Sequence, residues 1–223
     1  MRHRAAPPSA RRTAGVLAGC WLLLCAVVVG VGRLLTGPLA SSVGRADDDL
    51  ARWFADRRTP TLDTVAEVGT FLGDTLAGIV VLLLLGVAFS RWRRTWLPLL
   101  FVTVAYAGLM GVYLVATHLV PRDRPPVDIL DKGLVPDHSF PSGHTMTSTA
   151  VVWTVVLLLT TYTRAPRVVL VLALVPVFTL TARMYQGAHH LTDVLTALTF
   201  ALAWMTVVTT VLFRPRVVEE PRR

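Results

Sequence analysis

The sequence predicts an all-α integral membrane bundle of six transmembrane helices, with short interfacial helices between spans one and two. Three observations lead to this fold class. Of the 223 residues 53% are hydrophobic and only 16% are charged, which is too apolar for an ordinary soluble domain. Six apolar runs come close to the length of about 20 residues that a helix needs to cross a bilayer. The arginines cluster beside these runs, and backbone polar groups in lipid must be paired, so the runs are predicted to be helices.

The predicted spans cover residues 15–36, 74–90, 95–117, 144–163, 166–182 and 192–213. The second and the fifth are the shortest. The first span follows Arg11 and Arg12 and could also be interpreted as a signal peptide. Its length, and the lack of a clear small-residue cleavage site after it, favour a membrane span.

Two short helices are predicted between the first and second spans, within residues 37–73. The stretch "DDDLARWFADRR" (47–58) begins with acidic residues suited to a helix N-terminus and places its apolar residues on one face. The stretch "TPTLDTVAEVGTFL" (59–72) has Pro60 near its start and apolar residues at helical spacing. Both are predicted to lie on the outer membrane surface, and packing helices that cover the bundle are an equally good interpretation.

The arginines also predict the orientation of the chain. Arginines are concentrated in four segments: the N-terminal tail, the second loop, the fourth loop and the C-terminal tail. These alternate along the chain with the other three loops, which together carry most of the acidic residues. By the positive-inside rule the basic segments are cytoplasmic. We therefore expect cytoplasmic tails at 1–14 and 214–223 around one six-span domain at 15–213, in the cell membrane. Membrane topology thus accounts for the net charge of +8. The sequence has no interleaved basic and aromatic residues that would indicate a nucleic-acid partner.

Polar residues gather in the segments predicted to lie outside. They are "PRDRPP" (121–126), "DHSFPSGHT" (137–145) and "ARMYQGAHHLTDV" (182–194). Although 59 residues separate Arg124 from Arg183, the topology places both on one membrane face. This convergence predicts a site at the outer surface.

The residues in these segments suit an anion. A helix is predicted to begin at Ser142, Gly143 and His144, where its first N–H groups lack partners and its dipole is positive. Arg124 and Arg183 offer guanidinium forks that match phosphate oxygens. Ser142 adds a hydroxyl, and Gly143 lets a ligand approach the backbone closely. Taken singly, residues 141–144 could be a simple helix start, and Arg183 could be an interfacial anchor.

The histidines would supply chemistry. His189 and Asp193 are four residues apart, so on a helix they share a face, and a carboxylate that bonds one ring nitrogen leaves the other free to attack. His144 could protonate a leaving oxygen. A structural His–Asp pair is the alternative for His189 and Asp193. A metal site built from both residues with His144 and His190 is disfavoured, because the neighbouring arginines would repel a cation.

These residues resemble the type-2 phosphatidic acid phosphatase superfamily of membrane lipid phosphatases, which is related to vanadium haloperoxidases. The family has three motifs: Lys, six residues, Arg-Pro; then Pro-Ser-Gly-His; then Ser-Arg, five residues, His, three residues, Asp. Here Arg124-Pro125 closes the first, residues 141–144 give the second, and Arg183, His189 and Asp193 reproduce the third. Thr117 stands at the lysine position and Ala182 at the serine position. Arg122, His118 or Lys132 are candidates to supply the missing charge.

The resemblance implies a membrane lipid phosphatase that acts at the extracytoplasmic face without metal or cofactor. In this mechanism His189 forms a phosphohistidine, Asp193 orients it, and His144 protonates the leaving group. Arg124, Arg183, Ser142 and Gly143 hold the phosphoryl oxygens. Phosphatidic acid, phosphatidylglycerol phosphate and an isoprenyl diphosphate are candidate substrates. The alternatives are a phosphoryl transferase or lipid-phosphate binder on the same scaffold and, ranked last, a small transporter. The oligomeric state is not indicated.

Overall fold

The computed structural model describes residues 10–163 and 171–213, and these residues are mainly helical. One isolated β-bridge, between Arg122 and His138, is present in them. Most of the predicted N-terminal tail, all of the C-terminal tail and the first part of the fifth predicted span lie outside the described residues.

Eight α-helices occur in the described parts of the chain. They are α1 (Ala10–Thr36), α2 (Arg45–Ala55), α3 (Pro60–Phe71), α4 (Thr75–Arg93), α5 (Leu97–Leu119), α6 (Gly143–Tyr162), α7 (Leu174–Tyr185) and α8 (Leu191–Leu212). Five of these, α1, α4, α5, α6 and α8, are long and apolar enough to cross a membrane. The protein is therefore a multi-pass membrane protein. The described part of the predicted span 166–182 falls mainly in α7, which has 12 residues, so a total of six spans stays a prediction.

The core is centred on α5, which packs against α1, α4, α6 and α8. Leu109 and Val112 of α5 are completely buried, as are Met205 and Val208 of α8. Gly108 allows α5 and α8 to approach closely, because a Cβ built there would lie 2.4 Å from Cε2 of Trp204. The Trp204 indole in turn donates to the Ala105 carbonyl at 2.9 Å. Close packing of small and large side chains thus holds α5 and α8 together.

Both helices predicted between the first two spans are present. A π-helical turn, Ala40–Gly44, leads from α1 into α2. Helix α3 packs on α7 through small residues, since a Cβ built at Gly69 would lie 2.6 Å from Cβ of Ala182. The apolar residues Leu62, Val65, Val68 and Phe71 of α3 are exposed. This exposed apolar face suits the membrane surface, so an interfacial position remains our prediction for α3.

The helix ends that carry the polar segments lie at one end of the bundle. Helices α5 and α7 finish there, and α6 and α8 start there. Two connections, 120–142 and 186–190, consequently meet: the Leu130 amide donates to the Gln186 carbonyl at 3.0 Å, and His189 contacts Ser139. The fold therefore brings the three polar segments of the sequence together.

Candidate active site

The proline-rich stretch 121–126 is fixed against the segment that leads into α6. The Arg122 amide donates to the Asp137 carbonyl at 2.9 Å, and the Ser139 amide donates to the Arg122 carbonyl at 3.1 Å. The Arg124 amide adds a bond of 3.1 Å to the Pro136 carbonyl. This ladder sets the position of Arg124 relative to the start of α6.

Arg124 is held by backbone carbonyls. Its Nε donates to Val135 at 2.9 Å, Nη1 to Ala188 at 2.6 Å and Nη2 to His138 at 3.1 Å. A guanidinium has five N–H donors, so these three bonds leave two for a ligand. Because Ala188 precedes His189, the same bonds join the first polar segment to the third.

Arg183 is fully buried and only partly paired. Its Nη1 donates to Asp131 at 2.6 Å and to Gln186 at 3.1 Å. Its Nε and Nη2 are buried without a partner among the described residues. These two atoms form the edge of the guanidinium that binds oxyanions in a bidentate manner. Unpaired buried donors are costly, so this edge indicates a ligand with acceptor oxygens.

Helix α6 begins at the same place. Ser142 is its N-cap and accepts a hydrogen bond of 3.0 Å from the Thr145 hydroxyl, so its own hydroxyl hydrogen remains available. The amides of Gly143 and His144 fall in the first turn, where no intrahelical acceptor exists. The charges that act on the His144 ring are those of Arg183, Asp131, Asp74 and Arg124. His144 therefore lies within electrostatic reach of both arginines.

A tight turn places His189 beside Arg183. Helix α7 ends at Tyr185, and Gly187 adopts a positive φ of 72°. A side chain there would be strained and would also lie 2.7 Å from Val127, so the turn requires glycine. The amides of Ala188 and His189 then donate back to the Arg183 carbonyl at 3.0 and 3.4 Å. The chain from Arg183 to His189 thus consists of the end of α7 and one glycine turn, which accounts for the six-residue spacing.

The His189 ring is oriented by a backbone carbonyl. Its Nδ1 lies 2.7 Å from the Ser139 carbonyl. A carbonyl only accepts, so Nδ1 carries the hydrogen and Nε2 keeps its lone pair. Nε2 makes no hydrogen bond with the described residues. Burial lowers the pKa of His189 well below its ordinary value of 6.5, and the charge of Arg183 lowers it further. The ring is therefore neutral at neutral pH.

Asp193 does not bond His189 directly, and here the sequence expectation differs from the structure. Its carboxylate accepts from the Ser139 hydroxyl at 2.6 Å, the His190 amide at 2.9 Å and the His190 ring at 3.2 Å, and it also pairs with Arg122. The reason is that α8 begins only at Leu191, so His189 precedes the helix and the four-residue spacing does not place it on the same face. Asp193 instead acts on Ser139, whose carbonyl orients His189.

None of the three candidates for the missing positive charge reaches the arginine pair through its observed contacts. Arg122 is buried between Asp193 and Asp47, with a distance of 2.9 Å to the latter. Lys132 is exposed and pairs with Asp128 at 2.9 Å. His118 is exposed and bonds the Leu114 carbonyl of its own helix at 2.8 Å. Thr117 itself is buried and donates to the carbonyls of Tyr113 and Leu114.

The structure adds residues that sequence reasoning missed. Asp131, Thr70 and Gln186 surround Nη1 of Arg183 and line a cavity of about 630 Å³, which Asp74 also borders. The contacts of Asp131 and Thr70 with Arg183 are long-range, and no local pattern in the sequence signals them. In the described residues no three His, Cys, Asp or Glu side chains are grouped so that they could hold a metal ion.

Fold and site together define a multi-pass membrane protein that gathers two arginines and two histidines at one end of its helix bundle. The model of the PAP2 superfamily matches residues 95–216, which is more than half of the chain. The chain belongs to the PAP2 superfamily.

A solved structure is similar over nearly the whole molecule. It is the crystal structure of the first transmembrane PAP2-type phosphatidylglycerolphosphate phosphatase from Bacillus subtilis, with 23% sequence identity and a TM-score of 0.72. The match covers 92% of this chain and 97% of that chain. At this identity the likeness concerns the fold. A comparison with curated proteins finds no match.

Proposed function

We propose that the protein is a membrane lipid phosphatase that hydrolyses a phosphomonoester or diphosphate of a lipid through a phosphohistidine at the extracytoplasmic face. The observation that carries the proposal is the fully buried Arg183 with its unpaired Nε and Nη2. His189 lies in the turn that follows Arg183, and His144 is within electrostatic reach of it. A phosphoryl group supplies the acceptor oxygens that this edge lacks. Membership of the PAP2 superfamily and the fold shared with a phosphatidylglycerolphosphate phosphatase support the same substrate class.

The chemistry follows from the contacts. Nε2 of His189 attacks phosphorus while the bond from phosphorus to the lipid oxygen breaks, and His144 gives its proton to that oxygen. The charge on the phosphoryl oxygens is stabilised by Arg183, by the two free N–H donors of Arg124, by the Ser142 hydroxyl and by the amides of Gly143 and His144. Water then loses a proton to His144 and attacks phosphorus, the N–P bond breaks, and inorganic phosphate leaves. The arginines supply the positive charge, so the reaction as proposed needs no metal.

Asp193 has an indirect role in this proposal. It fixes the Ser139 hydroxyl, and the Ser139 carbonyl holds the Nδ1 hydrogen of His189. Asp193 and Ser139 together keep His189 in the tautomer that leaves its Nε2 free to attack. Asp193 is therefore proposed as a positioning residue.

The test is phosphate release by purified protein in detergent with chelator present, using phosphatidic acid, phosphatidylglycerol phosphate and an isoprenyl diphosphate. Wild-type protein is expected to release phosphate from at least one lipid, and His189→Ala to lose at least about a thousandfold in rate because the nucleophile is gone. His118→Ala is the matched control, since His118 is an exposed histidine bonded to its own helix, and it should keep wild-type activity.

Three results would contradict the proposal. They are activity that survives in His189→Ala, activity that the chelator abolishes, and a phosphorylated acceptor lipid that forms in place of free phosphate. The last result would favour the phosphoryl transferase.

A further inference from the structure

Tyr113 lies where the first polar segment, α5 and α6 converge. It is one helical turn before Thr117, so the two side chains share a face of α5. Thr117 directs its hydroxyl to backbone carbonyls of its own helix, including that of Tyr113 at 3.0 Å. The longer Tyr113 side chain is therefore the one on this face that extends toward the start of α6.

The phenol ring lies against the first residue of α6. A Cβ built at Gly143 would be 3.4, 3.6 and 3.8 Å from Cε2, Cδ2 and Cζ of Tyr113. Cζ carries the hydroxyl, so the polar end of the ring is near the helix N-terminus. Burial lowers the pKa of Arg124, the charge of Arg183 lowers it further, and the Tyr113 phenol opposes that shift. The phenol is thus within electrostatic reach of Arg124 as well.

The Tyr113 hydroxyl has no hydrogen bond with the part of the chain that the structure describes. The other tyrosine of α5 behaves differently, because the Tyr106 hydroxyl lies 3.2 Å from the Thr147 hydroxyl. The Tyr185 hydroxyl likewise donates to Asp63 at 2.7 Å. A partly buried phenol usually finds a partner, so a free one beside a helix N-terminus and an arginine points to an acceptor that binds there.

We propose that the Tyr113 hydroxyl donates a hydrogen bond to an oxygen of the bound phosphoryl group, between Arg124 and the first turn of α6. This inference rests on the proposed function. The Tyr113 hydroxyl is then a neutral hydrogen-bond donor on the face of α5 where Thr117 provides none. The cradle then carries two guanidinium charges, those of Arg124 and Arg183, together with the neutral Ser142 and Tyr113 hydroxyls.

The experiment measures binding of inorganic phosphate to the full chain in detergent by calorimetry. Tyr113→Phe removes only the hydroxyl and keeps the ring against Gly143, so the fold should be retained. Phosphate affinity is expected to fall by about tenfold or more, since the lost bond goes to a charged acceptor. Tyr106→Phe is the matched control on the same helix, and its phosphate affinity should stay within about twofold of wild type.

Unchanged phosphate affinity in Tyr113→Phe, or an equal loss in Tyr106→Phe, would overturn the assignment. The binding measurement also separates this inference from the proposed function. Wild-type protein that binds phosphate in a Tyr113-dependent way but hydrolyses no lipid would refute the phosphatase and support the Tyr113 contact. If the protein hydrolyses lipid but its phosphate affinity does not depend on the Tyr113 hydroxyl, the phosphatase is supported and the Tyr113 contact is refuted.

Discussion

His189 and His190 are neighbours in the chain but have different partners. His190 lies between the carboxylates of Asp48 and Asp193, at 3.1 and 3.2 Å. His189 bonds a neutral carbonyl, and burial followed by the charge of Arg183 holds its pKa well below 6.5. A group with a lowered pKa loses its proton at lower pH, so His189 is unprotonated throughout the neutral range. The His189 ring thus bonds one neutral carbonyl, whereas the His190 ring lies between two carboxylates.

This difference predicts the pH dependence of catalysis. If His189 attacks phosphorus, the acid limb of kcat/KM reflects protonation of His189 and lies below its ordinary pKa of 6.5. The measurement is kcat/KM from about pH 5 to about pH 8, corrected for ionisation of the substrate phosphate. Arg183→Gln removes a charge that lowers the pKa of His189, so the acid limb of the residual activity should move to higher pH. A wild-type acid limb at or above 6.5 would argue against His189 as the attacking group.

Sequence patterns predict some residues of the site but not the partners that hold them. Ser142 and His144 lie at a helix start and His189 follows a glycine turn, and such local features leave a signal in the sequence. Arg124 is instead held by the carbonyls of more distant residues, including Ala188. The partners Asp47, Asp131 and Ser139 are set by tertiary contacts between segments, and the sequence carries no periodic signal for them. Placing Asp193 against His189 failed because His189 precedes α8, so the four-residue spacing does not put the two side chains on one helical face.

At the scale of helices, the contact between α5 and α8 sets the frame that carries the site. Gly108 gives Trp204 room, and the indole bonds the Ala105 carbonyl at 2.9 Å. Gly108→Ala should destabilise the protein by about 1 to 3 kcal/mol, because a rigid buried indole cannot move aside without strain. Thermal unfolding of the detergent-solubilised protein measures this as a lower midpoint.

Gly30→Ala is the matched control for that substitution. Gly30 lies in membrane helix α1, and a Cβ built there meets nothing within 4 Å. Its unfolding midpoint should be unchanged or slightly higher, because alanine favours helix. Equal midpoints for the Gly108 and Gly30 variants would show that the indole tolerates the added methyl group.

Helix boundaries were the most predictable feature at this scale. The predicted spans 95–117, 144–163 and 192–213 correspond to Leu97–Leu119, Gly143–Tyr162 and Leu191–Leu212. Hydrophobic length and a clear N-terminal motif define such helices without knowledge of their neighbours. The packing of α3 on α7 was less predictable, because Gly69 and Ala182 reveal their contact only in the folded bundle.

For the whole molecule, the arrangement of basic segments predicts which side of the membrane holds the site. The last turn of α4 carries Arg91 and Arg93, Arg94 follows it, and this end of the bundle is opposite the site. The positive-inside rule assigns that turn to the cytoplasm, so the segments 120–142 and 186–190 are expected outside. A phosphatase with this orientation acts on lipids whose phosphate reaches the outer surface.

Labelling in intact cells with a membrane-impermeant maleimide tests this orientation. The label should reach Lys132→Cys, since Lys132 is exposed on the site side, and should reach Arg91→Cys only after the cells are opened. The native cysteines, Cys20 and Cys25, lie within α1, and replacing both with alanine removes any background. Labelling of Arg91→Cys in intact cells together with protection of Lys132→Cys would invert the topology. The site would then face the cytoplasm, and the proposed substrate would have to be a phosphate of the inner leaflet.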